Sequence, residues 1–251
     1  MEEFTRLVEL MEALRSDRGC SWDKKQTEKS FTTFLLEEVY EAIEAIEKGD
    51  HQALKEELGD LLFHIVFLAQ ISKEGGHFDI REVVQDAYTK MYRRHPHVFS
   101  RGIAEQPVEK RWEEIKKAEK TDYSPVSSVP KVLPALLRAY VISKRAAKVG
   151  FDWEKLEDIY QKMYEEIGEL KEAESSGTTE EIEGELGDLL FTIANISRFH
   201  AIDPEAALRR TIDKFIRRFG AIEPHLESVK NDLGAMEALW IETKEIEKKG
   251  K

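Results

Sequence analysis

The chain has 251 residues and a formal net charge of −12, with 41% hydrophobic residues, 35% charged residues, 7 prolines and 14 glycines. Such a balance suits ordinary cores beneath solvated faces and excludes a fibrous or disordered chain. The acidic excess disfavours a general binder of polymeric nucleic acid or of an anionic membrane, since either needs a basic surface.

The single cysteine, Cys20, excludes an intramolecular disulfide and a cysteine-based zinc cluster. The opening MEEFTRLVELMEAL is amphipathic rather than ordered like a signal peptide, and no run approaches 18 apolar residues. A soluble cytoplasmic protein is the expectation.

In chain order, Phe4, Leu7, Val8, Met11 and Leu14 recur at helical spacing and predict a helix over about 2–16. After the turn Gly19 to Asp23, with Thr27 or Ser30 as cap, a second helix is predicted over about 27–47. The third, about 51–73, is apolar almost all round, so most of it is expected to be buried. Glu57, Asp60 and His64 draw a polar line along it, and Gly59 between the acids leaves room for a close neighbour. A fourth helix covers about 79–93, and Pro107 is placed to start another through Trp112 and Ile115.

The segment TDYSPVSSVP, 121–130, carries two prolines and three serines and reads as a linker between modules 1–120 and 131–251. The second module opens on a helix ending near Gly150. Further helices are predicted over about 153–174, 179–199, 203–219 and 236–248. No run alternates like a strand, so the fold class expected is all-α, two helical modules with antiparallel neighbours.

The modules repeat a pattern of acids. Glu37, Glu38 and Glu41 precede Glu57 and Asp60; Glu165, Glu166 and Glu169 precede Glu185 and Asp188. The spacing from Glu41 to Glu57, and from Glu169 to Glu185, is 16 residues in both. Residues three or four apart share a helical face, so each set forms two short acidic stripes. Lys90, Arg93 and Arg94 follow the first block as Lys214, Arg217 and Arg218 follow the second.

Carboxylates converging from two helices repel, and oxygen-only ligands suit Mg²⁺ or Mn²⁺. Magnesium binds phosphate at the same time, and lysine and arginine hold phosphate oxygens. Acid, metal and base together point to phosphoryl chemistry. A glutamate-rich face alone is commonly solvated decoration; the pair Glu57 and Asp60 on a mostly apolar helix, and its duplication, set these acids apart. Glu74 with His77 has di-iron letters, but Gly75-Gly76 between them makes a turn. His64 reads equally as a core histidine, because Thr192 stands at its place in the second module, and His95 and His97 lack further ligands nearby. Trp22 and Trp153 read first as anchors and second as surfaces on which a base can stack.

The segments LLEEVYEAIEAI, ELGDLLFHIVFLA, RRHPHVF, VPKVLPALLRAYVISKRAAKVGFDW and KFIRRF resemble the MazG nucleoside triphosphate pyrophosphohydrolases in their two-domain bacterial form. The resemblance spans essentially the whole chain. It implies an all-α fold related to the dimeric dUTPases, a homodimer, and Mg²⁺-dependent hydrolysis, with Mn²⁺ an alternative ion. Nucleoside triphosphate, ribo- or deoxyribo-, is then cut between the α- and β-phosphates to monophosphate and pyrophosphate. Carried onto this sequence, Glu166, Glu169, Glu185 and Asp188 are expected as metal ligands, as are Glu38, Glu41, Glu57 and Asp60 in the first module. The water-orienting glutamate is left open between Glu165 and Glu166, and Lys214, Arg217 and Arg218 are expected on the phosphates, with Lys90, Arg93 and Arg94 their first-module counterparts.

The halves differ at one instructive position. Ten residues after the first acid of the ExxD pair stands Asn195 in the second module and Phe67 in the first. An amide can bind the nucleotide and a phenyl ring cannot, so the main activity is expected in the C-terminal module. The rival classes are a non-catalytic nucleotide sensor or helical interaction protein, and a phosphatase removing the terminal phosphate.

Overall fold

A computed structural model describes residues 2–99, 115, 119, 124–230 and 232–249. The chain divides into two compact units, Met1–Ala118 and Glu119–Lys251. Every element among the described residues is helical, as the absence of alternating runs predicts. No helix among them is long and apolar enough to cross a membrane.

The first unit holds α1 (Glu2–Arg15), α2 (Thr32–Lys48), α3 (His51–Glu74), α4 (Ile80–Arg94) and the short α5 (Pro96–Phe99). Gly49 ends α2 in the left-handed region at φ 68°, and the Asp50 carboxylate accepts the Gln52 and Ala53 N–H groups that open α3. A two-residue turn thus folds α3 back along α2. Helix α1 packs on α3, and Met11, Phe31, Val66, Phe67, Ala69 and Ile80 make the core.

The second unit holds α6 (Ala135–Lys148), α7 (Leu156–Ser176), α8 (Thr179–Phe199), α9 (Pro204–Ile222) and α10 (Leu233–Lys249). Here Thr178 and Glu181 form a capping box at the start of α8. Asp203 caps α9, with Pro204 at its first position. The hairpin α7–α8 packs on α6 as α2–α3 packs on α1.

Several expectations change. Helix α2 begins at Thr32, because Thr27 and Ser30 bond each other's backbone N–H groups and close a separate turn first. Helix α3 buries His64, Val66, Phe67, Ala69 and Ser72 but leaves Leu58, Leu62 and Ile65 exposed, so its apolar girth exceeds what one chain covers. A Cβ on Gly59 would meet open space, so none of the described residues approaches it closely. Residues 124–130 pack onto α6: Val129 is buried, and Arg145 donates to Pro125 O at 3.1 Å and to Ser128 Oγ at 2.7 Å. A 3₁₀ turn, Glu223–Val229, precedes the last helix, which starts at Leu233. The predicted helix from Pro107 through Trp112 lies outside the described residues.

Candidate active site

Each helical hairpin brings its two acidic stripes face to face. In the first module, Glu38 and Glu41 of α2 and Glu57 of α3 offer oxygens within 4.8 Å of one another. Partial desolvation, then the nearby Asp60 and Glu41 charges, pushes Glu38 above the usual glutamate range. Glu57 is raised likewise, by desolvation and then by Glu41, Glu38 and Asp60. Asp60 therefore belongs to the cluster electrostatically while standing outside the closest three. Glu37 is exposed.

In the second module, Glu166 of α7 and Glu185 and Asp188 of α8 lie within the same 4.8 Å. Glu166 is only 4% exposed, and a carboxylate so buried requires a partner. Lys162, one turn earlier on α7, supplies it: its Nζ is 2.8 Å from Glu166, 2.6 Å from Glu165 and 4.0 Å from Glu169. These bonds push the Lys162 ammonium above its usual range. Desolvation raises Glu169, with Lys162 opposing and Glu166 and Glu185 adding to the rise. Sequence reasoning missed Lys162, although its place three and four residues before Glu165 and Glu166 was legible as helical pairing. Phe34 stands at the equivalent place in the first module.

A cavity of about 640 Å³ opens beside the second acidic cluster. Glu166, Asp188 and Lys162 line one end; Thr192 and Asn195 follow on α8, and Ser143, Phe151 and Trp153 close other walls. Asp188, Thr192 and Asn195 are four and three residues apart, so they share a face and span roughly 10 Å at 1.5 Å per residue. Asn195 is buried and donates to Phe191 O at 3.2 Å. The arrangement is acid at one end, a polar line along one wall and aromatic rings at the mouth, which suits a nucleoside with its phosphates on the acids.

The first module fills the corresponding space with its own side chains. Phe67, at the Asn195 position, is 0% exposed and stacks on Phe31 with centroids 4.2 Å apart and planes 6° apart. Phe31 stands where Ile159 does in the second module. The Arg15 guanidinium lies 5.2 Å from the Phe67 centroid and binds Glu74 at 2.7 Å. Aligned on Gly19 with Gly150 and Trp22 with Trp153, Arg15 falls at Ala146, which lines the cavity. His64 is buried with its ring edge against Phe31, and burial pushes its pKa down. Trp22 packs edge-on against Phe34, whereas Trp153 lines the cavity.

A family model, the MazG nucleotide pyrophosphohydrolase domain, matches residues 26–99 and again 154–222. The chain belongs to the MazG family. The two matches contain the two acidic hairpins. The chain is 46% identical over 241 residues to the nucleoside triphosphate pyrophosphohydrolase/pyrophosphatase MazG of Thermotoga maritima, covering 95% of this chain and 91% of that protein. It is 41% identical over 260 residues to the nucleoside triphosphate pyrophosphohydrolase of Escherichia coli K12, covering 98% and 99%. With the Bacillus subtilis protein YabN it shares 44% identity over 257 residues, 98% of this chain and 53% of that one.

Against this MazG-type site, the expected basic residues stand differently. Arg217 and Arg218 on α9 each donate through Nε to the Glu247 carboxylate of α10 at 2.8 Å. Lys214 is exposed, and none of the three lines the cavity. In the first module Lys90 and Arg93 are exposed on α4 and Arg94 is half-buried. Among the described residues, Lys162 is a cation set directly beside the second acidic cluster.

Proposed function

We propose that the protein is a nucleoside triphosphate pyrophosphohydrolase whose main activity resides in the C-terminal module. Nucleoside triphosphate, ribo- or deoxyribo-, and water give the monophosphate and pyrophosphate. The observation that carries this reading is the cavity running from Glu166 and Asp188 to Asn195, joined to the family and to what the Thermotoga and Escherichia relatives are named for.

Glu166, Glu185 and Asp188, with Glu169 beside them, form an all-oxygen donor set that fits Mg²⁺, or Mn²⁺ in its stead. Bound there, the ion offsets the charge of acids and phosphates together. Glu165 or Glu166 orients the attacking water towards the α-phosphorus. Lys162 offsets part of the negative charge of the neighbouring glutamates, its Nζ lying 2.6 Å from Glu165 and 2.8 Å from Glu166. Asn195 has a buried amide to offer the base, and the rings of Phe151 and Trp153 line the same cavity as surfaces for it.

Lys214, Arg217 and Arg218 are proposed to neutralise pyrophosphate across a homodimer. Exposed Phe215 and Ile216 on the same stretch of α9, and exposed Leu58, Leu62 and Ile65 on α3, support a second copy as their cover. The protein is read as cytoplasmic, acting on free nucleotides rather than on polymeric nucleic acid or membrane. For the first module, the space filled by Phe31 and Phe67 favours a second reading: a metal-binding or interaction role without turnover.

The decisive experiment is product analysis over a panel of nucleoside triphosphates, with and without Mg²⁺. Pyrophosphate and monophosphate are expected from the wild type, with loss in Glu185→Ala. Orthophosphate as the first product would replace this reaction with terminal-phosphate removal.

A further inference from the structure

The cavity wall facing α8 is the turn Gly150–Trp153, between α6 and α7. Its departure from α6 is set by the backbone: Gly150 takes φ 91°, and the N–H groups of Gly150 and Phe151 donate to Ala147 O and Ala146 O at 3.0 and 3.1 Å. Those bonds fix the turn to α6, which itself packs on α8; beyond that contact the cavity separates the turn from α8. One ion pair spans that gap. Arg198 of α8 donates through both terminal guanidinium nitrogens to the two Asp152 oxygens, one of these bonds measuring 3.1 Å. Asp152 Oδ1 also accepts the Trp153 backbone N–H at 2.8 Å, so the same carboxylate holds the turn's own shape.

The Arg198 side chain is only 10% exposed, and its Nε is buried without a hydrogen-bond partner among the described residues. A buried guanidinium depends strongly on its anion. Arg198 lies one turn beyond Asn195, and ten residues, about 15 Å of helix, beyond Asp188. The pair therefore sits at the end of the cavity remote from the acids. In the first module the same register places Ser21 and Gln70 at these two positions. Gln70 donates instead to Glu74 of its own helix at 2.9 Å, and neither Ser21 nor Gln70 carries the charge for an ion pair. In the first module the tie to α3 is made by Arg15, which binds Glu74 and the Asp23 and Gln26 carbonyls while its own side chain occupies the space; in the second the tie runs from the turn itself and leaves the space open.

We propose that Asp152 and Arg198 are positioning residues: their ion pair sets the spacing between the Gly150–Trp153 turn and α8, and so governs how tightly the nucleoside end of a substrate is held. The inference rests on the nucleotide reading of the cavity given above. The pair acts through Trp153 and Phe151 and has no part at the phosphates.

The test uses Asp152→Asn, which keeps an oxygen for the Trp153 N–H while removing the charge, and the exchange variant carrying Asp152→Arg with Arg198→Asp. Three quantities are measured on the full-length protein: KM and kcat for the best nucleoside triphosphate, the Kd of the corresponding monophosphate by equilibrium dialysis, and inhibition by inorganic tripolyphosphate. For Asp152→Asn, KM and the monophosphate Kd rise on the order of tenfold, kcat stays within twofold, and tripolyphosphate inhibits as in the wild type. The exchange variant recovers at least threefold of the lost affinity. An unchanged monophosphate Kd overturns the clamp, as does a parallel loss of tripolyphosphate inhibition, which marks general disruption of the module. A wild type that binds monophosphate while the variants bind equally well removes the clamp alone. A wild type that neither binds monophosphate nor cleaves triphosphate removes the nucleotide reading and the clamp with it.

Discussion

The first module sets Glu38, Glu41 and Glu57 on α2 and α3, a hairpin equivalent to the α7–α8 hairpin that carries Glu166, Glu185 and Asp188, and the difference lies beneath them. Under the first cluster, Phe31 and Phe67 stack at 4.2 Å and Arg15 covers the ring. Under the second, Ile159, Asn195 and Ala146 leave a cavity of about 640 Å³. Lys162 faces the second cluster, and Phe34 replaces it beside the first. On the reading proposed above, the duplicated acids mark where a divalent ion would sit, and three larger side chains in the first module take the space that a nucleoside would need beside it.

The sharpest way to break this comparison is to remove one matched acid from each module. Glu185→Ala is expected to lower kcat on the order of 10²–10³-fold, the scale seen when one charge-stabilising group is lost. Glu57→Ala is expected to change turnover by no more than a few-fold. Steady-state pyrophosphate release from the two variants decides; equal losses would make both modules catalysts and remove the meaning given to Phe67.

Next in size is an exchange of interiors. Phe67→Ala takes a fully buried ring out of the first core and should destabilise that module by about 3–5 kcal/mol. Asn195→Ala, beside existing space, should cost far less stability and instead raise KM for the triphosphate. Denaturant unfolding and initial rates measure the two effects separately. An Asn195→Ala enzyme with unchanged KM would take the amide out of nucleotide binding.

A smaller effect tests what holds the filled interior. The Arg15 side chain is 6% exposed and joins α1 to Glu74 and to the Asp23 and Gln26 carbonyls. Arg15→Ala should therefore destabilise the first module by roughly 1–3 kcal/mol, reduced from the fully buried case because Glu74 is partly solvated. The midpoint of thermal unfolding, with nucleotide turnover as control, is the measurement.

These effects also show what a single sequence reveals. The hairpins were legible because Gly49, Asp50 and Thr178 mark turns and caps by local chemistry, and the acids because helical period fixes their shared face. Phe67 against Asn195 was legible as a difference, but its consequence depended on Phe31 and Arg15, which arrive from separate segments. Arg15 meets Glu74 across 59 residues, and Arg217 and Arg218 meet Glu247 across about 30; no local pattern encodes such partners. Leu58, Leu62 and Ile65 are exposed where the sequence predicts burial, because an apolar helix does not say whether its cover comes from its own chain.

The smallest predicted effect is one of pH, and its sign separates the acidic cluster from the Arg15 anchor. Glu38 and Glu57 are raised above 4.5 on folding, by desolvation and then by their acidic neighbours. The folded first module consequently holds these protons more tightly than the unfolded chain, and their contribution is present below pH 4.5 and lost as pH rises through the folded values. Glu74 runs the other way: hydrogen bonds from Arg15 lower it, so its contribution is present above 4.5 and lost as pH falls through the folded value. In chelator-treated protein, Glu38→Gln should therefore gain thermal stability relative to wild type as pH rises from 4.5 towards neutrality. Glu74→Gln should lose most of its deficit as pH falls below 4.5. A divalent ion bound by ionised Glu38, Glu41 and Glu57 should erase the advantage of Glu38→Gln, because it stabilises the very state that repulsion disfavours. An advantage that survives saturating Mg²⁺ would show that the first cluster, despite its matching acids, holds no ion.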